Sequence, residues 1–134
     1  MSCFFLNHIL IMETGNKSLI ITGATRGLGL SHAKYLSEKG FNLALVDISK
    51  EACNIYNESK NLNEIISNLS INGLQVKFYE CDLTDLKHTV SVFDKIIKDF
   101  NCIDGAVFNA GGDIIGNDKK ASGNKALKNN IDIK

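Results

Sequence analysis

Three glycines set among small and polar residues make one stretch of this chain suited to binding an anion. Positions 22–29 read Thr-Gly-Ala-Thr-Arg-Gly-Leu-Gly and directly follow the apolar run Leu19–Ile21. Gly23 lets the chain turn, Gly27 lets backbone approach a phosphate without a Cβ in the way, and Gly29 lets a helix pack closely. Backbone N–H groups at the start of such a helix favour phosphate. The stretch therefore predicts a nucleotide site between a strand and a helix.

Extended and helical patterns alternate along the chain and would position this turn. Short apolar or alternating runs predict strands at 19–21, 41–47, 74–80 and 103–108. Apolar residues at helical spacing predict three intervening helices, over 30–36, 62–69 and 86–100, with stops at Gly40 and at Asn72-Gly73. Thr84 or Asp85 would cap the third helix, whose apolar positions are Leu86, Val90, Phe93, Ile97 and Phe100.

The order of these elements predicts the fold class. Strand and helix alternate from the first strand to the fourth, which requires a parallel sheet with right-handed crossovers. We therefore predict an α/β fold with a Rossmann-like, doubly wound parallel sheet, truncated after about four strands. The loops after the four strands would share one edge of the sheet, where nucleotides bind such folds.

Composition excludes several other classes of protein. The chain has 134 residues, enough for one domain, and 15 basic residues balance 15 acidic ones. This balance argues against a nucleic-acid partner. The four cysteines form no Cys-x-x-Cys pair, which argues against a metal site or a disulfide framework and favours a reducing cytoplasm. The apolar N-terminal stretch is too short to span a bilayer, so no membrane association is predicted.

Four motifs at consistent spacing give the chain a resemblance to a known family. Thr-Gly-x-x-x-Gly-x-Gly is followed by an acid ending the second strand, then by Asp-Leu-Thr-Asp, then by Asn-Ala-Gly. This order resembles the short-chain dehydrogenases/reductases, which are NAD(P)-dependent oxidoreductases with one Rossmann-type domain. The resemblance implies an N-terminal extension over 1–16, a partial NAD(P)-binding domain over 17–112 and a polar loop or tail over 113–134.

The resemblance implies roles for residues on all four loops. The pyrophosphate turn would use Thr22 and the three glycines, Asp82 and Leu83 would border the adenine, and the 109–111 stretch would lie beside the riboses. Phe108 stands where the family usually has a first asparagine. The predicted cofactor-binding residues are Thr22, Gly23, Thr25, Arg26, Gly27, Leu28, Gly29, Asp47, Ile48, Asp82, Leu83, Asn109, Ala110 and Gly111.

Two residues with opposite charges bear on the type of cofactor. Asp47 can accept hydrogen bonds from the adenosine ribose, whereas a 2′-phosphate would meet like charge there. Arg26 favours the other cofactor, because a guanidinium pairs with phosphate. A fixed acid should outweigh a solvated arginine, so NAD(H) is predicted over NADP(H).

No catalytic residue is predicted within this chain. Family members use a serine, a tyrosine and a lysine four residues after the tyrosine, all beyond the Asn-Ala-Gly motif. Tyr35 with Lys39 and Tyr56 with Lys60 match the spacing. The first pair lies in the helix that leaves the glycine turn, far from the nicotinamide end, and the second follows Asp47 on the adenosine side, so neither is predicted to be catalytic. The chain would then be the inactive cofactor-binding part of an enzyme acting on an alcohol or ketone, and only the full-length enzyme would form homo-oligomers.

Two other readings stay open at the level of sequence. The chain could be a free-standing nucleotide-binding or regulatory module without catalysis, or a non-redox protein on the same fold, because fold alone does not determine function.

Overall fold

The computed structural model describes residues 16–54 and 59–111. Most of the predicted N-terminal extension and the predicted polar tail, together with Tyr56, lie outside these residues. The strands are β1 (Ser18–Thr22), β2 (Asn42–Asp47), β3 (Val76–Glu80) and β4 (Gly105–Phe108). The α-helices are α1 (Gly27–Glu38), α2 (Leu62–Leu69) and α3 (Leu86–Phe100), and two short 3-10 helices cover Lys50–Asn54 and Ile71–Gly73.

Local side-chain and backbone signals determine where the helices begin and end. The side chain of Asn61 accepts a hydrogen bond from the first turn of α2, and Asp85 does the same at α3. Asp85, rather than Thr84, is therefore the cap of α3. The chain leaves α1 through Gly40 at a φ of +87°, a conformation that glycine adopts without strain.

The four strands form one parallel sheet in the order β3-β2-β1-β4. The chain moves outward from β1 to β3 and then returns to place β4 on the other side of β1. The strand order therefore reverses between β1 and β4, which is where ligands bind open α/β sheets. This arrangement confirms the predicted Rossmann-like fold class.

Helices cover both faces of the sheet. On one face, α1 and α2 pack against β-strand residues such as Ile21, Leu43 and Leu45. On the other face, α3 packs against Ile20 and its neighbours. None of the helices in the described ranges combines the length and apolar character that crossing a bilayer requires.

The apolar stripe predicted for α3 coincides only in part with the face that packs on the sheet, at Phe93 and Phe100. The buried residues of α3 are Val92, Ile96 and Phe100, and Phe93 packs partly against them. Three members of the predicted stripe, namely Leu86, Val90 and Ile97, are instead exposed. The apolar residues of the helix spread over a wide face, and the periodicity of the sequence does not reveal which part of that face meets the sheet.

Strand β4 is an edge of the sheet within the part of the chain that the structure describes. Its residues alternate between half-buried and exposed, and Phe108 is 79% exposed. The register pairs Ala106 with Ile20 and Phe108 with Thr22. Because Ile20 faces α3 and side chains alternate along a strand, Ala106 and Phe108 lie on the α3 side of the sheet.

A hydrogen-bonded pair joins the outer strand β3 to the C-terminal end of α3. The Tyr79 hydroxyl donates to Asp99 Oδ2 at 2.7 Å, and Lys77 Nζ lies 3.7 Å from the same oxygen. Burial and this hydrogen bond to a carboxylate raise the pKa of Tyr79 above its ordinary value. The same hydrogen bond, aided by the charge of Lys77, lowers the pKa of Asp99.

This pair predicts a pH-dependent loss of stability in the variant Tyr79→Phe. A carboxylate with a lowered folded-state pKa contributes stability above its unfolded pKa of about 3.9, and loses it as the pH falls further. Urea unfolding should therefore show the variant to be less stable at pH 7, and the difference should shrink below about pH 4. Tyr35→Phe, at an exposed position of α1, is the control. A loss of stability in Tyr79→Phe that has the same size at every pH would show that the hydrogen bond to the ionised Asp99 is not its cause.

Candidate functional site

A cleft of about 750 Å³ lies at the carboxyl edge of the sheet. All four strand-end loops contribute to it, as the predicted topology requires. Its volume falls in the range typical of small-molecule sites. The lining residues are Gly23, Arg26, Gly27, Leu28, Val46, Asp47, Ile48, Cys81, Asp82, Leu83, Thr84, Asn109, Ala110 and Gly111.

The glycine turn brings the backbone of Gly23 and Gly27 to one wall of the cleft, beside Arg26 and Leu28. Gly23 and Gly27 adopt φ values of +62° and +52°, in the region that favours glycine. A Cβ on Gly29 would lie 1.9 Å from the Gly23 carbonyl oxygen, so α1 approaches the turn closely. The N-terminus of α1 thereby faces the cleft with its partial positive charge. This cradle fits a phosphate or pyrophosphate group.

Thr22 ties the end of β1 to the end of β4. Its buried hydroxyl accepts hydrogen bonds from the N–H groups of Asn109 and Ala110, at 3.1 and 3.0 Å. The Asn109 side chain in turn donates to the Gly23 carbonyl at 3.2 Å. These contacts hold the glycine turn beside the Asn-Ala-Gly loop, across the point where the strand order reverses.

Asp47 ends β2 with its carboxylate almost completely buried and held by backbone and side-chain donors. Its Oδ2 accepts from Thr25 N–H at 3.0 Å and from the Thr25 hydroxyl at 2.7 Å. Its Oδ1 accepts from Ile48 N–H at 2.9 Å. The residue is 6% exposed, and that remaining surface lines the cleft. A negative charge is thus fixed in the wall next to the glycine turn.

Asp82 is held in a similar way on the wall that follows β3, but in an exposed position. Its Oδ1 accepts from the N–H and the hydroxyl of Thr84, at 2.9 and 2.7 Å. These hydrogen bonds lower the pKa of Asp82. The cleft therefore carries two carboxylates, one buried at Asp47 and one facing solvent at Asp82.

Most of the residues predicted for the site line this cleft. Thr22, Thr25 and Gly29 do not, because the first two are fully buried beneath it and Gly29 lies inside the first turn of α1. Three further lining residues, Val46, Cys81 and Thr84, are not among the predicted cofactor-binding residues, although the strand-end loops were expected to meet at this edge. Each of the three directly adjoins a predicted residue along the chain.

Tyr35 does not line the cleft. It is exposed on α1, and the Lys39 ammonium lies 5.3 Å from the centre of its ring. The pair therefore has a surface environment. Within the described ranges, no group of three or more histidine, cysteine or acidic residues is arranged to hold a metal ion.

Comparison with known proteins identifies similar sequences and structures. The sequence profile of the short chain dehydrogenase family matches residues 17–133. A cyclohexanol dehydrogenase of Rhodococcus sp. (strain TK6) is 26% identical over 101 residues, which are 73% of this chain and 37% of that protein. A putative short-chain dehydrogenase/reductase from Sinorhizobium meliloti 1021 is 32% identical with a TM-score of 0.64, over 75% of this chain and 43% of that one.

A third similar protein was solved with a dinucleotide. It is the 3-oxoacyl-[acyl-carrier protein] reductase from Brucella melitensis in complex with NAD, 28% identical with a TM-score of 0.62. The match covers 76% of this chain and 36% of that one. The chain spans about a third of the length of the curated relatives that it matches, from 32% to 37%.

Proposed function

Because the chain belongs to the short-chain dehydrogenase family, we propose that its cleft binds NAD(H) for an oxidoreductase acting on an alcohol or ketone. The parent reaction moves a hydride between the nicotinamide and the substrate carbon. The described residues supply the dinucleotide site, and the whole protein's substrate pocket and catalytic groups belong to other parts of the enzyme.

One observation carries the proposal: the glycine turn and the Asn-Ala-Gly loop meet where the strand order reverses. The backbone of Gly23 and Gly27, together with the α1 N-terminus, would hold the pyrophosphate. Two apolar side chains, Leu28 (73% exposed) and Ile48 (57% exposed), also line this cleft. The two ends of a dinucleotide, adenine and nicotinamide, are flat rings that would cover such side chains.

Asp47 supports NAD(H) over NADP(H). Its carboxylate is fixed in the cleft wall by three hydrogen-bond donors, so a 2′-phosphate would meet negative charge there. Arg26 lines the same cleft and would attract a phosphate. The position of Asp47 at the end of β2 favours ribose recognition, and we therefore place NAD(H) first.

Titration of the 134-residue chain with NADH and with NADPH tests this function directly. Calorimetry should show saturable binding of both, with the lower Kd for NADH. ADP-ribose, which lacks the nicotinamide, should compete with NADH because it occupies the same pyrophosphate and adenosine contacts. Absence of binding of either dinucleotide to the folded chain would overturn the proposal.

Assaying turnover by the same chain shows whether it only binds the cofactor or also catalyses the reaction. We expect no oxidation of NADH in the presence of ketones, because none of the described residues lining the cleft is a tyrosine or a lysine. Turnover that Tyr35→Phe and Tyr56→Phe leave unchanged would contradict this expectation and would locate catalysis elsewhere in the chain.

The remaining features of the proposal concern the cell and the assembled enzyme. The free thiols of Cys53, Cys81 and Cys102 fit a reducing compartment, which we take to be the cytoplasm. Homo-oligomers are proposed for the full-length enzyme only. No nucleic-acid or membrane partner is proposed.

A further inference from the structure

Thr25 does not reach the cleft itself but hydrogen-bonds Asp47, which lines it. It is fully buried and does not line the cleft. Both of its donors, the backbone N–H and the hydroxyl, point at one oxygen of Asp47, Oδ2, at 3.0 and 2.7 Å. Thr25 lies 22 positions before Asp47 in the chain, so this contact joins the glycine turn to the end of β2.

The hydrogen bonds to Asp47 leave little room for further donors. A carboxylate offers about four acceptor positions, two on each oxygen. Thr25 fills both positions on Oδ2, and Ile48 N–H fills one on Oδ1 at 2.9 Å. One acceptor position therefore remains, on Oδ1, and the carboxylate cannot rotate without breaking these bonds.

We propose that Thr25 is a positioning residue that sets the cofactor preference of the cleft, by fixing Asp47 so that Oδ1 alone accepts a ribose hydroxyl. This inference rests on the proposed function of the cleft. A ribose hydroxyl then donates to an acceptor that is already oriented, which spares the cost of ordering it. A 2′-phosphate meets a negative charge that cannot turn away, although Arg26 lines the same cleft.

Loss of the Thr25 hydroxyl should weaken this discrimination. In Thr25→Val the side chain keeps its shape, but Asp47 Oδ2 retains only the Thr25 N–H as a donor. The carboxylate then gains freedom to swing away from the ribose, which weakens the contact with NADH and makes room for a phosphate near Arg26. We expect the ratio of the NADPH Kd to the NADH Kd to fall about tenfold, the effect of losing one charge-assisted hydrogen bond.

Two matched variants show whether the effect belongs to the Thr25 hydroxyl. Thr25→Ser keeps the hydroxyl and should restore the wild-type ratio. Thr84→Val removes a hydroxyl that donates to the other cleft carboxylate, Asp82, at the same 2.7 Å. Because Asp82 is exposed and lies on another wall, this variant should change both affinities by the same factor. A merely structural defect would likewise weaken both ligands alike and leave the ratio unchanged.

A second measurement needs no variant at all. The two probes are NADH analogues that lack either the 2′- or the 3′-hydroxyl of the adenosine ribose. With one free acceptor position on Asp47, the wild-type protein should bind one of these analogues about tenfold more weakly than NADH, and the other with much less loss. Equal losses for the two analogues would overturn the inference. A folded Thr25→Val protein that keeps the wild-type ratio would also overturn it.

The failure of this inference differs from the failure of the proposed function. If the wild-type chain binds NADH in preference to NADPH and Thr25→Val keeps the same ratio of the two Kd values, the cleft binds the dinucleotide but Thr25 does not set its preference. If the wild-type chain binds neither dinucleotide, the proposed function is wrong and the inference falls with it.

Discussion

Replacing Gly29 with alanine is expected to remove measurable NADH binding and to lower the free energy of unfolding by about 3 kcal/mol, the upper end for overpacked sites. The new Cβ would lie 1.9 Å from the Gly23 oxygen and 2.7 Å from Asn109 Nδ2. The first contact is with backbone, which cannot be relieved by rotating a side chain. The N-terminus of α1 would have to move away from the glycine turn, so the proposed pyrophosphate cradle would open.

Gly40→Ala is the matched control for this experiment. Gly40 adopts a positive φ, but a Cβ there meets nothing within 4 Å, and the residue lies at the opposite end of α1. It should cost about 1 kcal/mol of stability through backbone strain and leave the NADH affinity intact. Urea unfolding and calorimetry check the two variants together. A Gly29→Ala protein with wild-type affinity would show that the close approach of α1 is not required for binding.

Replacing Asp47 with asparagine is expected to reverse the cofactor preference. The variant removes the fixed negative charge while nearly preserving shape, so NADH loses a charged acceptor and NADPH loses a like-charge repulsion. The asparagine oxygen can still accept from Thr25, but its amide then faces the Ile48 N–H, which is also a donor. Together these effects should change the ratio of the two Kd values by about a hundredfold, equivalent to about 2.7 kcal/mol.

Asp85→Asn controls for the general loss of a negative charge. Asp85 caps α3 through a 3.0 Å hydrogen bond from His88 N–H, and it does not line the cleft. Asparagine is an equally good cap, so stability should change little. The Kd ratio of this variant should equal that of the wild type. A preference for NADH that survives Asp47→Asn would show that another group recognises the ribose.

Local signals in the sequence predict the four strands and the three α-helices, but not the two short 3-10 helices. The apolar run Leu19–Ile21 followed by Gly23 predicts both the end of β1 and the turn after it. This order is typical of a buried strand that ends at a glycine, and Gly23 does adopt a positive φ. Asp85 and Gly40 marked helix ends by the same local chemistry. Element order then implied a parallel sheet, and placing the strand ends on one edge predicted most of the residues that line the cleft.

Features that depend on packing between distant residues could not be predicted in this way. Which residues of α3 meet the sheet depends on how the helix is rotated against the strands. Val92 and Ile96 are buried there, whereas Leu86, Val90 and Ile97 of the predicted stripe are exposed. The contact between Thr25 and Asp47 likewise depends on how the glycine turn sits beside β2. Their spacing in the sequence suggests that Thr25 and Asp47 both face a ligand, whereas Thr25 is fully buried and does not line the cleft.

The central place of β1 has a consequence for the order of folding. β1 pairs with β2 after a short separation, but its contacts with the other neighbour span 86 to 88 positions, from Ser18 to Asp104 and from Thr22 to Ala110. Closing so long a loop costs more chain entropy than forming the local strand–helix–strand unit. On an emerging nascent chain we therefore expect the β1–β2–β3 half to assemble first, and the cleft to be completed late, when β4 arrives.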